Sequence, residues 1–409
     1  MSVKYRLIIM SFLQYAIWGA WLISLGAYLG GGLEFSGRQI GSFFATMGIA
    51  SLFMPAIMGI IADRWIPAQK LLGICHIIGA ALLVAAAPQT EYFPLYSLIL
   101  CSVMFYMPTI SLSNSVAYNA LSSAGLDTVK AFPPIRVWGT VGFICAMIAV
   151  DLLGFARTSM QLYTSAALAV ILGIYSFTLP NCPTCKVAKN QSWVDTMGLR
   201  AFALFKQKKM AVFFIFSMLL GVSLQITNAF ANDYLTNFFG SNEAYKGTFG
   251  VEHANILISI SQMSETLCIL LIPFFLKRFG IKNVMLISMF AWVLRFALLG
   301  TGNPGDGVWM LVLSMLVYGV AFDFFNISGS LYVDKETDPS IRSSAQGVFM
   351  IMTNGFGAFF GSYAAGEVVD RTGWPDSWFI FAGYALVVGL LFAVIFKSKH
   401  HPNEIKEMI

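Results

Sequence analysis

Long apolar stretches alternate with short polar turns along nearly the whole chain. The apolar runs fall at about 6–30, 38–62, 69–88, 92–122, 132–154, 159–180, 209–231, 252–276, 281–300, 307–333, 341–369 and 375–397. Each approaches or exceeds the ~20 residues that a helix needs to cross the hydrocarbon core of a bilayer. The pattern therefore predicts an all-α polytopic membrane protein with twelve transmembrane helices. Turn residues separate the runs, as at Gly30-Gly31-Gly32, Pro88-Gln89-Thr90, Gly302-Asn303-Pro304-Gly305-Asp306-Gly307 and Gly373-Trp374-Pro375. The one long polar connection, 181–208, divides the chain into two six-helix bundles, 1–180 and 209–409. The short basic start, Met1 to Arg6, leads into an apolar run that reaches Leu29, longer than a signal-peptide core. An uncleaved first span is expected.

Composition narrows the class further. Of 409 residues, 57% are hydrophobic and 11% charged, less than half the ~25% charged share of a soluble protein. A cytosolic enzyme, a secreted disulfide scaffold and a disordered chain are excluded. The basic residues set the orientation. With both termini cytoplasmic, Arg38, Arg157, Lys246 and Arg371 fall outside, Arg136 and Arg295 lie within spans, and the rest of the 25 Lys and Arg face the cytoplasm. The net charge of +5 thus reads as a topology signal, with no support for nucleic acid as a partner. The linker 181–208 is cytoplasmic in this scheme.

The two halves echo each other. Tyr106 and Asn114 have the spacing of Tyr318 and Asn326, 212 residues later, and Asp63-Arg64 closes span two where Lys277-Arg278 closes span eight. With six spans per half, this suggests two parallel repeats, the plan of major-facilitator transporters, whose ligands bind near the midplane between the halves.

Polar groups deep in a span are costly, so their positions carry information. Two acids fall well inside hydrocarbon, Glu265 in span eight and Asp323 in span ten. An isolated carboxylate there is expensive in its charged form, so it can exchange a proton when access to water alternates. A permanent pair with a neighbouring Arg, or an acid locked in hydrogen bonds, is the structural alternative. Gln262 and Glu265 share a helix face at three residues' spacing, as do Gln225 and Asn228 in span seven. Amides donate and accept at once, which suits the hydroxyls and ring edges of a neutral solute; interhelical contact is the competing use.

Arg136, Thr140 and Phe143 form one stripe along span five, after Pro133-Pro134, which favours a fixed helix start. A cavity role suits the stripe, and snorkelling toward water is the alternative for its Arg. Tyr318 and Phe322, a turn apart beside Asp323, read either as an aromatic wall for a flat ring or as packing. Arg295, about a turn from the outer end of span nine, reads as a snorkelling side chain or a structural ion pair. Trp18 and Trp21 in span one stay open between pore lining and packing. Cys182-Pro-Thr-Cys185 lacks the two further ligands of a metal site and is expected as a pair of reduced thiols. His76 and His253 lack partners at ligand spacing, and His400-His401 is expected in a solvated tail. No phosphate-cradling GxxxxGK[ST] loop occurs. Neither a metal nor a cofactor is expected.

Longer motifs carry a family resemblance. Gly59-Ile-Ile-Ala-Asp63-Arg64 through Lys70 resembles the signature between spans two and three of major-facilitator proteins, with Ile66 where a Gly is usual. In that superfamily the acid–base cluster is thought to latch the halves on the cytoplasmic side. Phe132-Pro-Pro-Ile-Arg136-Val-Trp-Gly-Thr140-Val-Gly-Phe143, Phe214 to Gly221, Leu224-Gln225-Ile-Thr-Asn228, and Tyr318-Gly-Val-Ala-Phe322-Asp323 through Ser330 are similar to the nucleoside:proton symporter family. The resemblance runs from Ser11 to Tyr384. It implies a broad-specificity importer of purine and pyrimidine nucleosides such as uridine and adenosine, driven by protons across a bacterial inner membrane. It implies substrate contacts at Arg136, Thr140, Phe143, Gln225, Asn228, Gln262, Glu265, Tyr318 and Phe322, with Asp323 and Glu265 as coupling acids. A pore within one chain needs no partner beyond lipid, so a monomer is expected, with no enzymatic chemistry. The competing classes are a proton-coupled sugar or oligosaccharide importer, a drug:proton antiporter, and a membrane sensor. A sensor would carry an added soluble domain, for which the tail after Lys397 is too short.

Overall fold

The computed structural model describes residues 2–184, 199–338 and 341–397; Cys185, the middle of the linker and the His400-His401 tail lie outside them. The described chain is helical throughout, without strands. Nine of its helices are long and apolar enough to cross a membrane. One of these, α8 (Ala254–Thr301), runs for 48 residues and contains two crossings. At Gly280 its backbone leaves the helix with φ 75° and ψ 168°, a region open to glycine and strained for residues with a Cβ. Two 17-residue helices, α1 (Val3–Gly19) and α6 (Met160–Ser176), bring the total to about twelve crossings, in accord with the apolar pattern.

The remaining helices are α2 (Gly37–Arg64), α3 (Ala68–Ala86), α4 (Tyr92–Ser123), α5 (Thr128–Leu152), α7 (Lys208–Asp233), α9 (Val308–Glu336), α10 (Arg342–Met350), α11 (Ala358–Thr372) and α12 (Asp376–Ile395). A wide π-turn, Ile351–Gly357, joins α10 to α11 in one crossing. Helix α5 begins earlier than the proline pair suggests. Asp127 accepts the Lys130 N–H on its side chain (3.4 Å) and the Ala131 N–H on its carbonyl (2.9 Å). That seeds a turn ahead of Pro133-Pro134, which therefore lie inside the helix.

The chain divides into two compact units, Met1–Phe35 with Thr46–Met197, and Ser36–Ala45 with Gly198–Ile409. In the first, α1 packs along α5, and α3 packs on both α4 and α6. A Cβ at Gly142 would stand 2.1 Å from the Phe12 carbonyl oxygen, so this glycine lets α5 and α1 meet backbone to backbone. A buried polar net ties three helices. Gln14 donates to Thr109 Oγ1 at 2.7 Å and meets His76 Nε2 at 2.8 Å, while the Tyr106 hydroxyl donates to the Gln14 carbonyl at 2.8 Å. Trp18, half-buried, stacks on Tyr106 with centroids 4.4 Å apart, and the buried Trp21 meets it edge-on.

In the second unit α8 lies along α9 and also contacts α12. At Gly319 a Cβ would fall 2.6 Å from the Ser264 carbonyl. Across this close contact Ser264 donates to the Leu316 carbonyl and Ser288 to the Ala321 carbonyl. The first turns of α2 belong to this unit. The Gly37 and Arg38 N–H groups donate to the two oxygens of Asp370 at 2.6 and 2.8 Å, and Arg38 pairs with Glu367, which also takes Arg371. A carboxylate at the positive end of a helix is well placed. At the other end of α2, Asp63 is exposed and has no ion pair among the described residues.

Candidate substrate and proton site

In the first unit the stripe on α5 is built against α1. The Gly142 contact brings Tyr15 under the stripe, and the Arg136 guanidinium carbon sits 3.8 Å from the Tyr15 ring centroid. Arg136 is half-buried and held on a ring face, a favourable place for a planar cation. Snorkelling away from the bundle does not describe it. Thr140 is half-buried one turn on, and Phe143 is buried. The three thus keep a shared face with a cation, a hydroxyl and a ring.

The second unit gathers the acids and the aromatic wall. Asp323 on α9 is 3% exposed, and its Oδ2 has no hydrogen-bond partner among the described residues. Glu265 on α8, half-buried, is near enough to interact with it electrostatically. Tyr318 is buried, and Gln262 stands close to its hydroxyl. Its ring stacks on Phe322 at 5.9 Å with the planes 16° apart, and meets Trp292 edge-on at 6.1 Å. Tyr318 and Phe322 thus form a continuous wall beside the acids. Gly319 and Ser264 close the gap between α8 and α9, which brings Gln262, Glu265, Tyr318, Phe322 and Asp323 together.

Gln225 and Asn228 stand a turn apart on α7. Gln225 is buried with its Oε1 unpartnered, and Asn228 is half-buried. No hydrogen bond among the described residues ties either to the Tyr318 cluster, so both amides keep their capacity for a solute. A small notch in this unit, open to solvent and ≈ 300 Å³ when that open space is counted, is lined in part by Trp292, Phe322, Asn326, Thr353 and Asn354. Sequence reasoning passes over Asn354, which the π-turn presents, over Trp292, which meets Tyr318 through packing, and over Tyr15, which lies under Arg136 in the first unit. Arg295 departs from expectation. It is 2% exposed and has no carboxylate partner among the described residues, so it neither snorkels nor forms an ion pair. Instead its guanidinium lies over Tyr318, a contact made by long-range packing between the second limb of α8 and α9.

Outside the spans, Cys182 is buried; its N–H donates to Gln69 Oε1 at 3.0 Å, and Gln69 donates to Asn181 at 2.7 Å. Burial pushes its thiol up to about 11. Its expected companion Cys185 lies outside the described residues. His76 is engaged by Gln14, as described above.

Comparison with known proteins fits this arrangement. Residues 1–401 match the family model described as nucleoside H+ symporter. The chain is 52% identical to the nucleoside permease NupG of Escherichia coli (strain K12), over 98% of this chain and 97% of that protein. It is 50% identical to the xanthosine permease of the same strain, over 99% of each. A crystal structure of nucleoside transporter NupG, in mutant form, superposes with a TM-score of 0.94 at 52% identity, covering 97% of this chain and 100% of the other. The fold is thus the major-facilitator fold that the internal echo predicts. The chain belongs to the nucleoside H+ symporter family.

Proposed function

We propose that the protein imports nucleosides together with protons across a bacterial inner membrane, acting as a monomer with both termini cytoplasmic. The observation that carries the coupling is Asp323, enclosed with one oxygen unpartnered, next to Glu265 and directly after Phe322 in the aromatic wall. A proton on this acid lowers the cost of closing apolar surface over it. Arg136, Thr140, Phe143, Gln225, Asn228, Gln262, Glu265, Tyr318 and Phe322 supply what a nucleoside needs. The rings offer a flat face for the base, and the amides, hydroxyl and guanidinium offer hydrogen bonds for ribose and base edges. Proton and nucleoside load from outside, the protein changes access, and both leave inward; no covalent bond is made or broken, so the protein is not an enzyme. The two permeases at 50% identity or more support nucleosides as substrates.

The test is uptake of radiolabelled uridine into proteoliposomes with and without an imposed pH gradient, competed with adenosine and with glucose. Gradient-dependent uptake blocked by adenosine and indifferent to glucose is expected; competition by glucose alone would replace the nucleoside reading with a sugar one. Asp323→Asn is expected to abolish uphill accumulation while leaving exchange down a uridine gradient. Unchanged accumulation in that variant would remove Asp323 from coupling.

A further inference from the structure

Arg295 sits in the second limb of α8, enclosed at 2% exposure. A cation within the hydrocarbon is costly and persists where something holds it. Its Nη1 donates to the Ser314 carbonyl at 2.6 Å, its Nη2 approaches Met315 Sδ at 3.9 Å, and its Nε has no partner among the described residues. Ser314 Oγ donates back to the Arg295 carbonyl at 3.1 Å. Among the described residues the charge also meets a ring face. Arg295 Cζ lies 4.7 Å from the Tyr318 centroid, and the same ring stacks on Phe322 and meets Trp292 edge-on.

We infer that Arg295 is a positioning residue for the substrate site, fixing the plane of Tyr318 and through it the wall that Phe322 extends. The inference rests on the nucleoside-transport reading above. A cation over a desolvated ring resists rotation of that ring, so the wall is already oriented when a base arrives, and binding loses less ordering entropy. A planar guanidinium matters here, because an ammonium keeps the charge without the flat fork that also reaches Ser314. The competing role is a brace between α8 and α9 through Ser314 alone, which would not depend on the ring.

The experiment measures uridine uptake against concentration in proteoliposomes for the wild type, Arg295→Met, Arg295→Lys, Tyr318→Leu and the double variant Arg295→Met/Tyr318→Leu. Thermal unfolding of each is followed in detergent. Arg295→Met is expected to raise KM roughly tenfold, with Arg295→Lys between it and the wild type. In the Tyr318→Leu background the same change should add less than about twofold, the mark of two residues acting as one. An unchanged KM with a lower maximal rate and melting temperature would overturn the inference in favour of the brace, and so would effects that multiply. If Arg295→Met does not fold, the cycle with Arg295→Lys decides on the same terms. Absence of any nucleoside uptake by the wild type would instead bring down the transport reading and this inference with it.

Discussion

Arg136 and Cys182 show how a single neighbour sets what a side chain can do. The Arg136 guanidinium rests on Tyr15, so Tyr15→Leu should leave the cation without its platform. The expected result is a KM for uridine raised about 2- to 10-fold with little change in maximal rate, read from initial uptake rates. Cys182 is buried outside the spans with its thiol pushed up to about 11. The thiolate is the reactive form, so in a Cys185→Ser background maleimide labelling of Cys182 should be slow at pH 7. The rate should climb as pH rises toward 11; fast labelling at neutral pH would show the loop to be open. Residue chemistry was legible where it broke a rule of the apolar run. Glu265 and Asp323 stand out because hydrocarbon tolerates few acids. Tyr15 and the true setting of Arg295 were not legible, because each depends on which side chains of two packed helices face each other.

At the scale of the helix, close contact is made by glycine where backbones meet. A Val at Gly142 would drive a side chain into the Phe12 carbonyl, and neither backbone can yield without moving the Arg136–Phe143 stripe. Gly142→Val is expected to cost at least about 1–3 kcal/mol, seen as a lower melting temperature in detergent, and to weaken uridine uptake through the displaced stripe. A stable, fully active variant would show that α1 and α5 are less tightly joined than drawn. Helix existence was legible from run length and separation alone. Detail was less so. Pro133-Pro134 suggested a start, yet Asp127 nucleates the turn before them, a side-chain event that hydropathy does not register. The π-turn at Ile351–Gly357, which presents Asn354, likewise leaves no mark on an apolar count.

For the whole molecule, the decisive quantity is charge moved per cycle. A nucleoside such as uridine is neutral, so a step that carries it inward with a proton moves net positive charge. Such a cycle must respond to membrane potential as well as to a pH gradient, since one elementary charge crossing 100 mV is worth ≈ 2.3 kcal/mol. With one proton per uridine this allows about 50-fold accumulation per 100 mV, and with two about 2,500-fold. Proteoliposomes given an inside-negative potassium diffusion potential, at equal pH on both sides, should therefore concentrate uridine. The slope of log accumulation against potential then reads the proton number directly. Asp323→Asn should flatten that slope to zero while exchange continues, because without a titrating acid no charge accompanies the nucleoside. Accumulation indifferent to potential in the wild type would mean that the proton is balanced by an opposing charge. The enclosed acid on α9 would then carry its proton in an electroneutral cycle, driven by the pH gradient alone.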